Sequence, residues 1–275
     1  MASKRKFEQE QKELELLSME FETVEEARLV LDEFVEYMRS LEGQHEDIIP
    51  FVAGMRKLKP ETLESLKGFM LNPEDAHKIP YKYREYAYGI FSTQVHCLFS
   101  GRFMFPVFDV YEHVAGFVGW DVEGNPKYLD SLNLGYKAKA SGFFGMQFLK
   151  QYYENKKVVV VEGPVCMMYL YENGVPVMSS LGSHLTPYMI TMLKRFEDGC
   201  LVIPDGHGDE AGASYRKQVE RMLPLARCVQ PKKAKDIDDT RLWLRDQGEE
   251  NADKIIAQEV MNLLNDPFYE SEYFG

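Results

Sequence analysis

The sequence contains no uncharged apolar run of about 18 residues, no closely spaced cysteine pair and no excess of positive charge. The first absence excludes a membrane-spanning helix. Met1-Ala2-Ser3-Lys4-Arg5-Lys6 runs directly into Glu8, Glu10 and Glu13 with no apolar signal region, so a cytoplasmic protein without membrane partners is expected. Cys97, Cys166, Cys200 and Cys228 are widely separated, a pattern that supports neither a zinc ribbon nor a disulfide framework and is that of buried thiols. A net charge of −12 opposes strong unspecific binding to a polyanion. The basic residues are nevertheless clustered, at Lys127, Lys137, Lys139, Lys150, Lys156 and Lys157 and again at Arg227, Lys232, Lys233 and Lys235. Any contact with nucleic acid is therefore local and sensitive to salt.

With 275 residues, 45% apolar and 13% aromatic, the chain can build one large core or two small ones. The first third has helical spacing. Thr23-Val24-Glu25-Glu26 reads as a capping box, and Val24, Ala27, Leu31, Phe34, Met38 and Leu41 follow at intervals of three and four. Pro60 opens a second, short helix through Lys67. From about residue 100 short apolar runs alternate with turn residues, and Phe103–Phe108 with Val114–Trp120 reads as a hairpin. After Glu123-Gly124-Asn125-Pro126, a turn, Lys127-Tyr128-Leu129 resumes a strand. From Lys157 strand and helix alternate: strands at 157–162, 175–179, 200–204 and 225–229, helices at 164–173, 186–197 and 209–222. That alternation is the mark of a parallel sheet flanked by helices, an α/β fold. The tail from Thr240 is helical again, with Ile256, Val260, Leu263 and Leu264 on one face. The expected organisation is a helical region 1–95, an α+β subdomain 96–155, the parallel-sheet domain 156–240 and a helical tail 241–275.

Two of these strands end in acids. Val158-Val159-Val160-Val161 leads into Glu162-Gly163, and Cys200-Leu201-Val202-Ile203 leads through Pro204 to Asp205, with Asp209-Glu210-Ala211-Gly212 following. In parallel sheets ligands bind at the carboxyl ends of the strands. Carboxylates crowded there repel by about 4 kcal/mol per close pair at an effective dielectric of 20, so a cation is expected among them. An all-oxygen ligand set selects Mg²⁺ or Mn²⁺.

Glu162-Gly163, then Ser180-Leu181-Gly182-Ser183-His184-Leu185-Thr186 after the next strand, then Asp205 with Asp209-Glu210-Ala211-Gly212, resemble the TOPRIM domain shared by bacterial-type (DnaG-like) primases, topoisomerases and some nucleases. Upstream, Gly101-Arg102-Phe103-Met104-Phe105-Pro106-Val107, Val114-Ala115-Gly116-Phe117-Val118-Gly119 and Pro126-Lys127-Tyr128-Leu129-Asp130-Ser131 are similar to the N-terminal subdomain of the primase RNA-polymerase core. The resemblance spans roughly residues 100–240. It implies a TOPRIM-type parallel sheet preceded by a mixed α+β subdomain and an N-terminal helical region. It implies that Glu162 acts near the reacting centre, that Asp205 and Asp209 share in catalysis, and that these three with Asp236 and Asp238 bind metal, two ions of Mg²⁺ or Mn²⁺. Arg102, Lys127 and Lys139, with Lys137 as the fallback register, would contact ribonucleoside triphosphate or the single-stranded DNA template. The implied activity is DNA-dependent synthesis of short RNA primers in a bacterial or phage-infected cytoplasm.

The sequence departs from the family in three places. Asp205-Gly206-His207-Gly208-Asp209 separates acids that the family spaces as Asp-x-Asp, and His207 is either a ligand or an exposed loop residue. No cysteine and histidine cluster is present to bind zinc, so template choice is expected to fall to a separate subunit. The tail after residue 240 is short for a helicase-binding domain, although a replicative helicase is an expected partner. A TOPRIM nuclease and a non-catalytic replisome or regulatory protein stand as alternatives, since a lone acid also serves as a helix cap.

Overall fold

A computed structural model describes residues 21–72, 78–80, 82–83, 99–121, 127–133, 136–137, 142–206 and 210–275. The polypeptide forms two compact units that meet in sequence at Ser141 and Gly142. In the first, helix α1 (Phe21–Arg39) is followed by a π-helical turn (Gln44–Ile48) and the short helices α2 (Ile49–Met55) and α3 (Pro60–Ser65). Ala27, Leu31, Phe34 and Met38 are all buried, as their spacing requires. The helix is already under way at Phe21, so Thr23 lies inside it rather than at its cap. Pro60 occupies the first turn of α3, where its missing N–H has no intrahelical partner to lose.

These helices pack on an antiparallel sheet of β1 (Phe69–Leu71), β2 (Arg102–Phe108), β3 (Val114–Trp120) and β4 (Tyr128–Asp130), in that spatial order. The expected hairpin forms, with Phe105 opposite Val118 and a register shift at Val107/Phe108. Phe34 of α1 meets Phe69 of β1 and Phe117 of β3 edge-on, with ring centroids 6.0 and 5.7 Å away, which locks helix to sheet. On β2 and β3, Phe103, Phe105 and Trp120 form a second aromatic cluster. A small ladder of β5 (Leu132–Asn133) and β6 (Tyr136–Lys137) ends the described part of this unit.

The second unit opens with a 3₁₀ turn (Met146–Phe148) and α4 (Leu149–Asn155), then alternates β7 (Val158–Val161), α5 (Pro164–Glu172), β8 (Val177–Ser179), α6 (Pro187–Leu193), β9 (Cys200–Ile203), α7 (Glu210–Met222) and β10 (Arg227–Cys228). The four strands are parallel, in the order β10-β9-β7-β8. Val158 to Val161 and Cys200 to Ile203 are buried without exception, as strands covered on both faces must be. The strands are shorter than the apolar runs because the ladder stops where the chain turns: Val175 N donates to Leu170 O, closing α5 rather than opening β8. The expected helix 186–197 is α-helical only to Leu193 and tightens into a 3₁₀ stretch, Lys194–Gly199. There Gly199 approaches the backbone so closely that a Cβ would stand 1.9 Å from Lys156 O.

Helices α8 (Ile237–Asp246) and α9 (Ala252–Asn265) pack against α5, with Ile256, Val260, Leu263 and Leu264 buried on one face. The Arg227 guanidinium donates to Leu263 O at 3.0 Å, Asp266 O at 2.7 Å and Tyr269 O at 2.5 Å, tying the end of α9 to β10. Among the described residues no helix is long and apolar enough to cross a membrane.

Cys166 and Cys200 are buried and Cys228 is half-buried, none of them in a disulfide; Cys97 lies outside the described residues. Burial pushes the Cys200 and Cys228 thiols up to about 12 and Cys166 well above its ordinary value, so all three are protonated at neutral pH. Peptide mapping after iodoacetamide treatment at pH 8 should therefore find these three unmodified in the folded protein and fully alkylated in urea.

Candidate active site

The parallel register places Val161 opposite Ile203, so the residues that follow, Glu162 and Pro204-Asp205, leave the sheet side by side. Asp205 N donates to Glu162 Oε1 at 3.0 Å, a direct link between the two strand ends. Behind them Ser179 Oγ donates to Glu162 O at 2.6 Å and accepts from Leu181 N at 3.1 Å, joining the end of β7 to the turn after β8. On the other side Gln230 Nε2 donates to Asp205 O at 2.5 Å, and Gly206 N donates to Lys235 O at 2.7 Å. The start of α7 presses on the same backbone: a Cβ at Gly212 would stand 1.9 Å from Asp205 O. Only glycine fits there, which explains the Ala-Gly after the acids.

The electrostatics fit a cation-seeking edge. Lys235 Nζ lies 3.8 Å from Asp205 Oδ2, near enough to lower the carboxylate's potential but beyond hydrogen-bond distance. The buried Cys166 thiol is raised first by desolvation and then by the charges of Asp236, Asp238 and Asp205, with a hydrogen bond to the Asp238 backbone opposing. Tyr215, also fully buried, is raised by desolvation, with the Ser180 hydroxyl opposing and the charge of Glu162 adding.

The downstream acids have distinct partners. Asp236 caps α8, its Oδ1 accepting from Asp239 N at 2.8 Å. Asp238 is buried and accepts two bonds from Arg241, from Nη2 at 2.6 Å and Nε at 3.2 Å. Arg241 in turn stacks 3.8 Å from the Tyr169 ring centroid and pairs with Asp253, which also holds Arg245. Asp238, only 8% exposed, thus takes its counter-charge from a guanidinium inside the fold. Asp209 and His207 lie outside the described residues, and among the described residues no three acid, histidine or cysteine side chains already surround a point at metal-binding distance. The donors at the edge, Glu162, Asp205 and Asp236, are all carboxylates, the chemistry of a hard divalent cation rather than of zinc.

In the first unit, Arg102 is nearly buried on β2, its Nη2 3.8 Å from Asp121 Oδ2. Its guanidinium is thus built into the sheet rather than offered to solvent. Lys127 is exposed beside the Tyr128 ring, 5.5 Å from its centroid. Lys137 falls in β6 and Lys139 outside the described residues. Ser179, Gln230 and Arg241 are not apparent as contributors from the sequence: Ser179 and Gln230 act on partners 17 and 25 positions away and Arg241 on Asp253 of the next helix, and only Lys235, adjacent to Asp236, carries a local signal.

Residues 159–241 match the Toprim-like family. The chain is 31% identical over 128 residues to a DNA primase of Helicobacter pylori, covering 46% of this chain and 22% of that protein. It is 32% identical over 116 residues to a DNA primase of Clostridium acetobutylicum, covering 42% and 19%. The chain thus spans about a fifth of the curated relatives' length. Among solved structures, a DnaG catalytic core superposes with a TM-score of 0.66 over 84% of this chain and 79% of that one, at 22% identity. The catalytic core of E. coli primase does so with 0.64, over 88% and 85%, at 21% identity. The second unit accordingly carries a Toprim-like fold over residues 159–241. The fold that contains it is that of a DnaG-type primase catalytic core.

Arg241→Met leaves Asp238 buried without a counterion and should cost about 3–5 kcal/mol in urea unfolding, while adding Asp238→Asn should recover part of that loss. Gly212→Ala should cost about 1–3 kcal/mol in the same assay, because the added methyl has backbone and not a movable side chain in its way.

Proposed function

We propose that the chain synthesises short RNA primers on single-stranded DNA by metal-dependent nucleotidyl transfer, in support of DNA replication. The observation that carries this reading is the juxtaposition of Glu162 and Asp205 at adjacent carboxyl ends of β7 and β9, within a fold shared with primase catalytic cores. A solved relative of the same fold is described as a DnaG primase catalytic domain bound to single-stranded DNA, which supports that template class here.

In this reading Glu162, Asp205 and Asp209, with Asp236 at the mouth of α8, hold Mg²⁺ or Mn²⁺. Such ions supply activation of the primer 3′-hydroxyl and neutralisation of the leaving pyrophosphate. The protein's own contribution is position. Asp205 N holds Glu162 Oε1, Ser179 holds the Glu162 backbone, and Gln230 with Gly206 fixes the Asp205 turn, so the carboxylates present a fixed negative edge before substrate arrives. Lys235 occupies the position of a weak counterion that a bound cation would displace. Asp238, committed to Arg241, orients the α8 start rather than ligating. Lys127, Lys137 and Lys139 of the first unit supply ammonium groups for triphosphate or template. A replicative helicase and a separate template-selecting subunit complete the assembly.

Incorporation of labelled ribonucleotides on single-stranded DNA with Mg²⁺ or Mn²⁺ tests the reading. Glu162→Gln and Asp205→Asn should each lower synthesis by about 10²–10³-fold with the fold intact. Metal-dependent degradation of the template without synthesis would instead assign a nuclease. Neither activity, together with no Mn²⁺ binding by calorimetry below millimolar concentration, would assign a non-catalytic protein.

A further inference from the structure

The turn after β8 is not an idle loop. Leu181 adopts φ +55° and Gly182 φ +144°, an unusual pair of conformations that carries the chain outward at Ser183 and His184. Gln218 of α7 holds it there: Leu185 N donates to Gln218 Oε1 at 2.8 Å, and Gln218 Nε2 donates to Leu185 O at 2.8 Å. This two-point clamp fixes the turn against α7 and creates an open cleft of about 440 Å³ lined by Ser183, His184, Ser214, Lys217, Gln218 and Arg221. Ser214, Lys217 and Arg221 follow one another at intervals of three and four, on one face of the helix.

The cleft lining carries two permanent cations, a histidine and two hydroxyls, and no carboxylate. The neighbouring acid Glu220 is occupied by Arg216 at 2.9 Å. Among the described residues neither Lys217 nor Arg221 has a carboxylate at ion-pair distance. In a chain of net charge −12 such a cluster is a local exception, and nothing apolar lines it that would suit a protein helix. Hydroxyls, a lysine and an arginine on a preformed turn are the groups that hold phosphate oxygens. Position supports the same ligand. At 1.5 Å per residue, Lys217 and Arg221 lie about 7.5 and 14 Å along α7 from Gly212, the residue that abuts Asp205. With phosphates rising about 3.4 Å per nucleotide along a strand, that is roughly two to four nucleotides from the acid edge.

We propose that this cleft is a polynucleotide-backbone site, in which Lys217 and Arg221 hold phosphates of a strand two to four nucleotides from the reacting centre. The placement rests on the nucleotidyl-transfer reading of the acid edge; the phosphate contact itself does not. The test is fluorescence anisotropy of the full chain with a labelled single-stranded DNA and a labelled RNA–DNA hybrid, across 50–200 mM salt. Lys217→Gln/Arg221→Gln should weaken binding roughly tenfold at the low-salt end and lower the slope of log affinity against log salt by about 1.4 for the single strand or about 1.8 for the hybrid. The charge-keeping Lys217→Arg/Arg221→Lys exchange should retain the slope. A loss confined to the single strand identifies the template as the occupant, and one confined to the hybrid identifies the product duplex. Unchanged affinity and slope with both ligands, at unchanged thermal unfolding, overturns the proposal. If the wild type makes no primers yet the Gln double variant loses binding, the functional reading fails and the cleft stands; primers with an unaltered slope give the reverse.

Discussion

Val161 stands opposite Ile203 in the parallel ladder, and this register decides what the next residues meet. It delivers a glutamate and an aspartate to neighbouring strand ends, where two unscreened carboxylates about 4 Å apart would oppose folding by about 4 kcal/mol at an effective dielectric of 20. The surrounding structure is arranged to hold that pair. A backbone N–H of one strand end donates to the carboxylate of the other, a lysine lies at 3.8 Å, and the turns on both sides are tied by Ser179 and Gln230. Four buried valines on β7 and four buried residues on β9 pack both faces of this ladder into the core. Packing of an apolar sheet thereby holds a polar edge that electrostatics alone would push apart.

The two acids at the start of α8 show how the same chemistry is put to opposite uses two residues apart. Asp236 caps the helix, its Oδ1 accepting from Asp239 N. Asp238, within the first turn, is paired with Arg241, which is itself 3% exposed and contacts both Tyr169 and Asp253. A charge with so little solvent must find its counterion within the protein, and a buried pair missing one member is far more costly than a missing pair. The pairing also joins α8, α9 and α5 through one guanidinium, because Tyr169 belongs to α5 and Asp253 to the first turn of α9. The helical tail is in this way part of the support of the acid edge.

Much of this was legible in the residues. A four-valine run ending in Glu-Gly, and Cys-Leu-Val-Ile ending in Pro-Asp, carry their own burial and their own stop, so strands, their order of alternation and the acids at their ends follow from local pattern. The family likeness of Glu162, Asp205 and Ala211-Gly212 follows for the same reason, and the Gly212 approach to Asp205 gives its physical cause. What escaped was either short or long-range. Helix α4 has only seven residues, too few for a period to declare itself, and the π-helical turn at Gln44–Ile48 has no sequence signature. The burial of Arg102 beside Asp121 depends on the pairing of β2 with β3, which local pattern does not show. The partner of Asp238 looks local at a spacing of three, but its burial depends on Tyr169, and the Gln218 clamp joins residues 33 positions apart.

The charge distribution completes the argument. A chain at −12 repels a polyanion at distance, but at physiological salt fields decay within about 8 Å, so only what lies near the strand is felt. The acid edge attracts cations and the α7 cleft attracts anions, and the two are linked by one rigid helix that begins at the first and carries the second. On the proposed reading, a strand whose backbone rested on Lys217 and Arg221 would meet repulsion from Glu162 and Asp205 at its reacting end, and a divalent cation held by those carboxylates would offset it. An acidic protein with a local basic cleft would thereby make nucleic-acid contact conditional on a bound metal, whereas a uniformly basic surface would hold the polymer whether or not the site was competent.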